Sequence, residues 1–463
     1  MGRHFKEPRM TAQPDLGPLP EWNLADLYAS PEDPKFSADL NAGEEKAKAF
    51  AETYRGKLAG LDGAALAKAL KDYEALSDLL GRVSSYAQLY YVGDTTDSKR
   101  GKFYGDTSAR LTEISTHLIF FELELNRIDD AVLEAALKVP ALAHYRPWIE
   151  NLRLEKPYQL EDKLEELFLE KSQTGFGAFN RLFDETMAAL KFQVEGDELG
   201  LEATLNLLSD RDEKKREAAF HGLSTTLHGN RRLFTHITNV LAKDKEISDR
   251  WHGFKDIADS RHLDNSVERE VVDALQAAVI EAYPRLSHRY YAMKAKWFGK
   301  PQLNAWDRNA PLPSSDERIF DWETAKATVM EAYGKFSPEL ASIAQPFFEH
   351  GWIDAGVKEG KSPGAFAHPT VPSAHPYLML NYLGKPRDVM TLAHELGHGV
   401  HQRLAAPQGA LMAPTPLTLA ETASVFGEML TFRSMLEKTT DGRLRFAMLS
   451  SKVEDMLNTV VRQ

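Results

Sequence analysis

From about residue 37 onward, apolar residues recur at three- and four-residue spacing with charged residues between them, the pattern of helices that bury one face. This predicts helices over 40–57, 64–92, 99–127, 130–138 and 161–190, and again over 229–250, 267–297, 321–334 and 337–350. Within 202–222, the run Ser209-Asp210-Arg211-Asp212-Glu213 reads as a capping signature that starts a helix from Lys214 to Leu223. Residues 1–36 are proline-rich and read as extended, with Trp22, Leu24, Leu27 and Tyr28 as anchors onto the body. Two stretches break the helical pattern. Residues 301–318 are irregular, and 355–388 alternate Gly and Pro with short apolar runs. His375–Tyr382 is the best strand candidate, and its Pro376 suits a sheet edge or a strand start. The expected fold is therefore mainly α, with a small β element directly before one further helix.

That helix carries His394-Glu395-Leu396-Gly397-His398. At about 100° per residue, with His394 at zero, His398 falls near 40° and Glu395 near 100°. Leu392, Leu396 and Val400 fall at roughly 160°, 200° and 240°, an opposite, core-facing side. Two imidazoles a turn apart can hold one zinc ion, and a carboxylate bordering them is placed to take a proton from metal-bound water. A catalytic zinc needs a third protein ligand and an open position. A third His ten residues after the first is absent, because that position is Leu404. His401 lies on the ligand face but a turn further along, where packing or support of the site is favoured over ligation. The remaining source is a Glu from the following helix, where Glu421 and Glu428 face one way.

Glu421 is favoured as ligand, yet Thr418-x-x-Glu421 also matches a capping box, in which the Glu would fold back onto its own helix end. Glu428 then reads as a carboxylate that orients a ligating His, with ligation as its alternative. Asp388 reads as the N-cap of the His394 helix, with contact to a ligand as the alternative. Gly397 costs its helix about 1 kcal/mol against Ala, which close approach of another backbone would explain better than tolerance. His368 and His375 read as loop histidines near the strand, with substrate contact as the rival. The strand at 375–382 could align a peptide by backbone pairing, or be a purely structural edge.

Composition narrows the field further. The chain has 463 residues, enough for about three domain-sized units or one large body with a smaller one attached. Apolar residues at 43% and charged ones at 27% are ordinary globular values, which excludes general disorder. Zero cysteines exclude disulfide scaffolds, thiolate nucleophiles and cysteine-held metals. A formal net charge of −12, with no basic cluster, argues against a nucleic-acid partner. No stretch has the roughly 18 apolar residues a membrane span needs. The N-terminus has no apolar core of a secretory signal, and Lys6 stands where N-myristoylation wants Ser or Thr. The expectation is a cytoplasmic protein with no membrane partner; oligomeric state stays open.

Taken together, HELGH with His401, then Ala420-Glu421-Thr422-Ala423-Ser424 and Gly427-Glu428, resemble the oligoendopeptidase F group of the thimet-oligopeptidase-like (M3) zinc metallopeptidases. So do Gly360–Phe366, Pro376–Tyr382 with Asp388, and Trp22–Tyr28, so that the resemblance covers nearly the whole chain. It implies a large multi-helix, zincin-like body with a deep cleft that admits peptides. It implies an N-terminal helical domain over 1–195 and a zinc metallopeptidase domain over 196–463. It assigns one Zn2+ to His394, His398 and Glu421, and the general-base role to Glu395. The implied activity is endopeptidase cleavage of short unstructured peptides. Other readings are a helical peptide-binding protein with a non-catalytic zinc, and an end-directed HExxH carboxypeptidase. Members of the group continue past the position of Gln463 with His and Tyr side chains that steady the oxyanion. The resemblance therefore implies a catalytic domain incomplete at its C-terminus, with activity reduced accordingly.

Overall fold

The computed structural model describes residues 15–312 and 318–461. The expectations over 1–14, over 313–317 of the irregular stretch, and over the last two residues fall outside the described residues. Helices dominate, and several begin at an acidic cap: Asp62 accepts from the Ala65 amide, Asp97 from Lys99 and Asp321 from Thr324. They run Pro34–Tyr54, Gly63–Val92, Trp322–Phe336 and Pro338–Glu349, close to the expected spans.

Three long expected helices are broken. The 99–127 pattern becomes Ser98–Thr116 and Phe120–Arg127. The 161–190 pattern becomes Asp162–Ser172 and Phe176–Ala189, parted at Gly175. The 267–297 pattern becomes Arg269–Ala282 and Ser287–Trp297, parted around Pro284, which has no N–H to donate. The capped helix at Asp212 runs longer than expected, Glu213–Gly229. A hairpin escaped the pattern: β1 (Phe192–Val194) pairs antiparallel with β2 (Asp197–Leu199). Its tight turn holds Glu195 and Gly196 at positive φ, 53° and 96°.

The second sheet stands beside the site. It contains β3 (Ile353–Asp354), β4 (Phe366–His368) and β5 (Tyr377–Met379) in the order β3-β5-β4. Leu378 faces Ile353 on a parallel neighbour and Ala367 on an antiparallel one. This corrects the expected edge at 375–382: β5 is the central strand, and all three of its residues are buried. With both flanks paired, it has no backbone edge to offer a peptide. The edges are β3 and β4. Lys361 is buried beneath this sheet, its ammonium 2.6 Å from Asp354 and donating to the carbonyls of Gly356 and Leu380 at 2.7 and 2.6 Å. A buried cation so fully paired ties the loop before β4 to the end of β5.

The N-terminal segment straps onto this sheet. The Trp322 amide donates to Leu16 O and the Ala355 amide to Pro20 O, both at 2.9 Å, and the Asn23 amide donates to Gly351 O at 2.7 Å. The Tyr377 hydroxyl donates back to Asn23 O at 2.9 Å. Leu27 and Tyr28 are buried, with Trp22 and Leu24 partly buried against the same core, which is the anchoring expected of them. One apolar cluster runs from Leu27 to Met448. Among the described residues no helix is long and apolar enough to cross a membrane.

Candidate metal centre

The helix Pro386–Ala405 carries both histidines. Asp388 is not its N-cap, as expected, but lies one turn inside. The cap position is Lys385, and Asp388 Oδ2 accepts the amides of Leu383 and Lys385, each at 3.0 Å. From the third helical position the carboxylate thus satisfies the cap residue's own amide and that of Leu383 before it, as the N3 acid of a capping box does. Val389, Leu392, Ala393, Leu396 and Val400 form a back face no more than 2% exposed. The helix Leu417–Lys438 crosses against it at two glycines. A Cβ at Gly397 would lie 2.7 Å from the Ala423 carbonyl oxygen and 2.8 Å from the Ser424 α-carbon. A Cβ at Gly427 would strike the Tyr333 hydroxyl, which donates to Ala393 O at 2.6 Å. The close backbone approach expected at Gly397 is what the structure has.

This crossing brings three ligand atoms together. One atom each from His394, His398 and Glu421 lie within 4.8 Å of one another. Glu421 Oε2 is 3.1 Å from His394 Nε2 and 3.5 Å from His398 Nε2. The two rings are 5.0 Å apart. Two imidazole nitrogens and a carboxylate oxygen converging on one point are a donor set that fits a zinc ion with an open position. Glu421 is not occupied by a capping box. Its helix starts at Leu417 with Pro416 at the cap, and the Thr418 hydroxyl donates to Asn265 O. Glu421 instead also accepts from the Ser424 hydroxyl at 2.7 Å.

Glu428 lies on the other side of His394, its Oε2 3.3 Å from Nδ1, while its Oε1 receives the Lys452 ammonium. Lys452 comes from the terminal helix Gly442–Val461 and was not anticipated, since nothing in its local sequence marks it. His401 is not among the converging groups. His375 is a core residue, stacked 3.7 Å from Trp352 with Nε2 2.9 Å from Asp26. His368, on β4, accepts the Thr370 amide at Nδ1 and faces Gln88 Oε1 with Nε2.

Burial governs the charges here. It raises Glu395 to about 7, against the attraction of His394 and with the repulsion of Glu421. Burial would lower His394, but the Glu428 hydrogen bond and the surrounding carboxylates outweigh it and hold the ring above its ordinary value. Burial likewise opposes ionisation of Glu428, yet His394 and Lys452 bring it below the usual range.

Glu395 is only 7% exposed and borders a cavity of about 1010 Å3. Its walls include Gly364-Ala365 at the approach to β4, Arg387, Lys452 and Asp455. The volume is that of a site for a ligand larger than a single amino acid. The cavity reaches Glu395, while the converging side chains of His394, His398 and Glu421 stand beside it on the same helix crossing rather than in its walls.

A model described as peptidase family M3 matches residues 206–463, and one described as Oligopeptidase F matches 124–192. Oligopeptidase PepF of Bacillus subtilis (strain 168) is 26% identical over 462 residues, covering 96% of this chain and 66% of its own length. Group B oligopeptidase PepB of Streptococcus agalactiae serotype III is also 26% identical, with coverages of 96% and 74%. The chain thus spans about two thirds to three quarters of these relatives' length. Two solved structures share the fold: PZ peptidase A with inhibitor 2, at TM-score 0.74 and 16% identity, and oligoendopeptidase-F from Enterococcus faecium, at 0.67 and 20%. They match 92% of this chain each, and 74% and 72% of their own.

Proposed function

Because the chain belongs to peptidase family M3, with over half its length in the family match, we propose that it is a zinc endopeptidase acting on internal bonds of short unstructured peptides. One observation carries this reading: the ligand atoms of His394, His398 and Glu421 converge within 4.8 Å on the helix crossing that also buries Glu395 beside the cavity. Zinc held by these three residues supplies a Lewis acid for the scissile carbonyl. Glu395, next in sequence to one ligand, takes the proton of the attacking water and returns it to the leaving amine. The buried back face of the helix keeps that carboxylate fixed relative to both imidazoles.

Substrate alignment falls to the β4 side of the sheet. Asn381 donates to the carbonyls of Ser362 and Gly364 at 3.1 and 2.9 Å, holding the segment that leads past Ala365 into β4. At β4 itself Gln402 donates to Ala367 O at 3.2 Å, tying the edge to the helix of the histidines. An extended peptide in the cavity runs along the Gly364-Ala365 segment that leads into β4 and passes Glu395. On this reading residues 196–463 form the catalytic part and 1–195 the helical part beside it. The cysteine-free chain suits a reducing compartment such as the cytoplasm.

The test is Glu395→Gln. It should keep one zinc per chain and lower turnover of a quenched-fluorescence peptide by about 10²–10⁴. Unchanged turnover removes Glu395 as the base. N- and C-terminally blocked peptides cut as readily as free ones separate an internal cut from an end-directed one.

A further inference from the structure

We propose that Lys452 is a positioning residue for His394, acting through Glu428; the inference rests on the zinc reading above. The two oxygens of Glu428 are divided between two partners on two different helices. Oε1 receives the Lys452 ammonium from the terminal helix, and Oε2 lies 3.3 Å from His394 Nδ1 on the helix of the ligands. Such a carboxylate, held at one oxygen only by water, is free to turn about its terminal torsion. Bound by an ammonium at Oε1, it keeps Oε2 aimed at Nδ1.

That aim has a chemical consequence. In the neutral ring, Nδ1 donating to Oε2 leaves Nε2 without a proton, and Nε2 is the nitrogen that faces Glu421 Oε2 at 3.1 Å. The ring is therefore held in the tautomer and orientation that a metal ligand needs. Burial distinguishes this chain of contacts from an ordinary surface ion pair. The side chains of His394, Glu428 and Lys452 are 25%, 18% and 11% exposed. Glu395, Glu421 and Glu428 also gather three carboxylates around the His394 ring, and Lys452 is a cation that reaches one of them directly. Asp455 and Glu454 flank Lys452 on its own helix, but Glu454 is taken by Lys294 at 2.7 Å and by the Tyr290 hydroxyl at 2.6 Å. The terminal helix thereby acts on the metal site without contributing a ligand.

The test is zinc affinity, measured with zinc alone against a fluorescent chelator on the full chain. Lys452→Met should weaken zinc binding about tenfold or more, as loss of such supporting contacts does. Lys452→Arg should restore it to within roughly threefold, because a guanidinium also satisfies the carboxylate. Adding Lys452→Met to Glu428→Gln should cost nothing beyond Glu428→Gln alone, because both act on one path. Parent-like affinity in Lys452→Met, or losses that multiply in the double variant, overturn the proposal while leaving the zinc reading intact. A parent chain that takes up no zinc overturns both. Should Lys452→Met lower the unfolding temperature of the metal-free protein, the same measurement on Lys452→Gln decides, since its shorter amide does not reach Glu428.

Discussion

Gly397 and Ala423 meet so closely that a single methyl group at Gly397 would stand 2.7 Å from the Ala423 carbonyl oxygen. The contact sits between His394 and His398 in sequence and two residues past Glu421 on the facing helix. It therefore sets how near the carboxylate comes to the rings. Gly397→Ala should cost about 1–3 kcal/mol of stability by forcing the helices apart, despite the better helix propensity of Ala. It should also weaken zinc retention. Gly229→Ala is the control: no atom lies within 4 Å of a Cβ there, and denaturant unfolding should show no loss. Equal midpoints for the two variants would count against the crossing as a tight constraint.

Glu421→Ala should release zinc at chelator concentrations the parent withstands, with helix content unchanged by circular dichroism. Glu428 does not replace it, because it faces Nδ1 of His394, not the Nε2 side where the ligand atoms gather. Zinc content after dialysis measures this, and retention equal to the parent's would move the third ligand elsewhere.

Asp388→Ala should destabilise by about 0.5–2 kcal/mol, the ordinary value of a helix-terminal carboxylate. Two amides, from Leu383 and Lys385, lose their acceptor. Asp388→Asn should recover much of the loss, because an amide oxygen still accepts from both. The readout is the chemical unfolding midpoint.

His368 should make the protein sensitive to mild acid. Burial lowers its pKa from 6.5 to about 4, and both ring nitrogens are engaged as in the neutral form. Between those values the unfolded chain binds the extra proton, so stability is complete above about 6.5 and falls as the pH drops toward 4. With its partial exposure the effect is about 1–2 kcal/mol. Unfolding midpoints of parent and His368→Gln, compared at pH 7 and pH 4.5, should diverge in this direction. A parent curve no steeper than the variant's would refute it.

The two histidines were legible because a helix repeats its face every three to four residues, so His394 and His398 declare a common site in one dimension. Glu421 was less so. The same Thr418-x-x-Glu421 spacing serves a helix cap, and only the real helix start, at Leu417 after Pro416, removes that competitor. The strand at Tyr377–Met379 was visible, but its central place was not, because β3 is two residues long and leaves no periodicity to read. Helix breaks at Gly175 and Pro284 had signals in the residues themselves, outweighed by the apolar spacing on either side. Lys452 had none: its meaning arises only when the terminal helix is laid against Glu428.

The strap of residues 16–28 has a thermodynamic corollary. Its amides and carbonyls are shared with Gly351, Ala355 and Trp322, while the Asp26 carboxylate is joined to His375, two residues before β5. Heat that loosens the first helices must therefore also strip the flank of the sheet beside the histidines. Melting should register as one calorimetric peak, with no early shoulder from an independently fraying amino-terminal region.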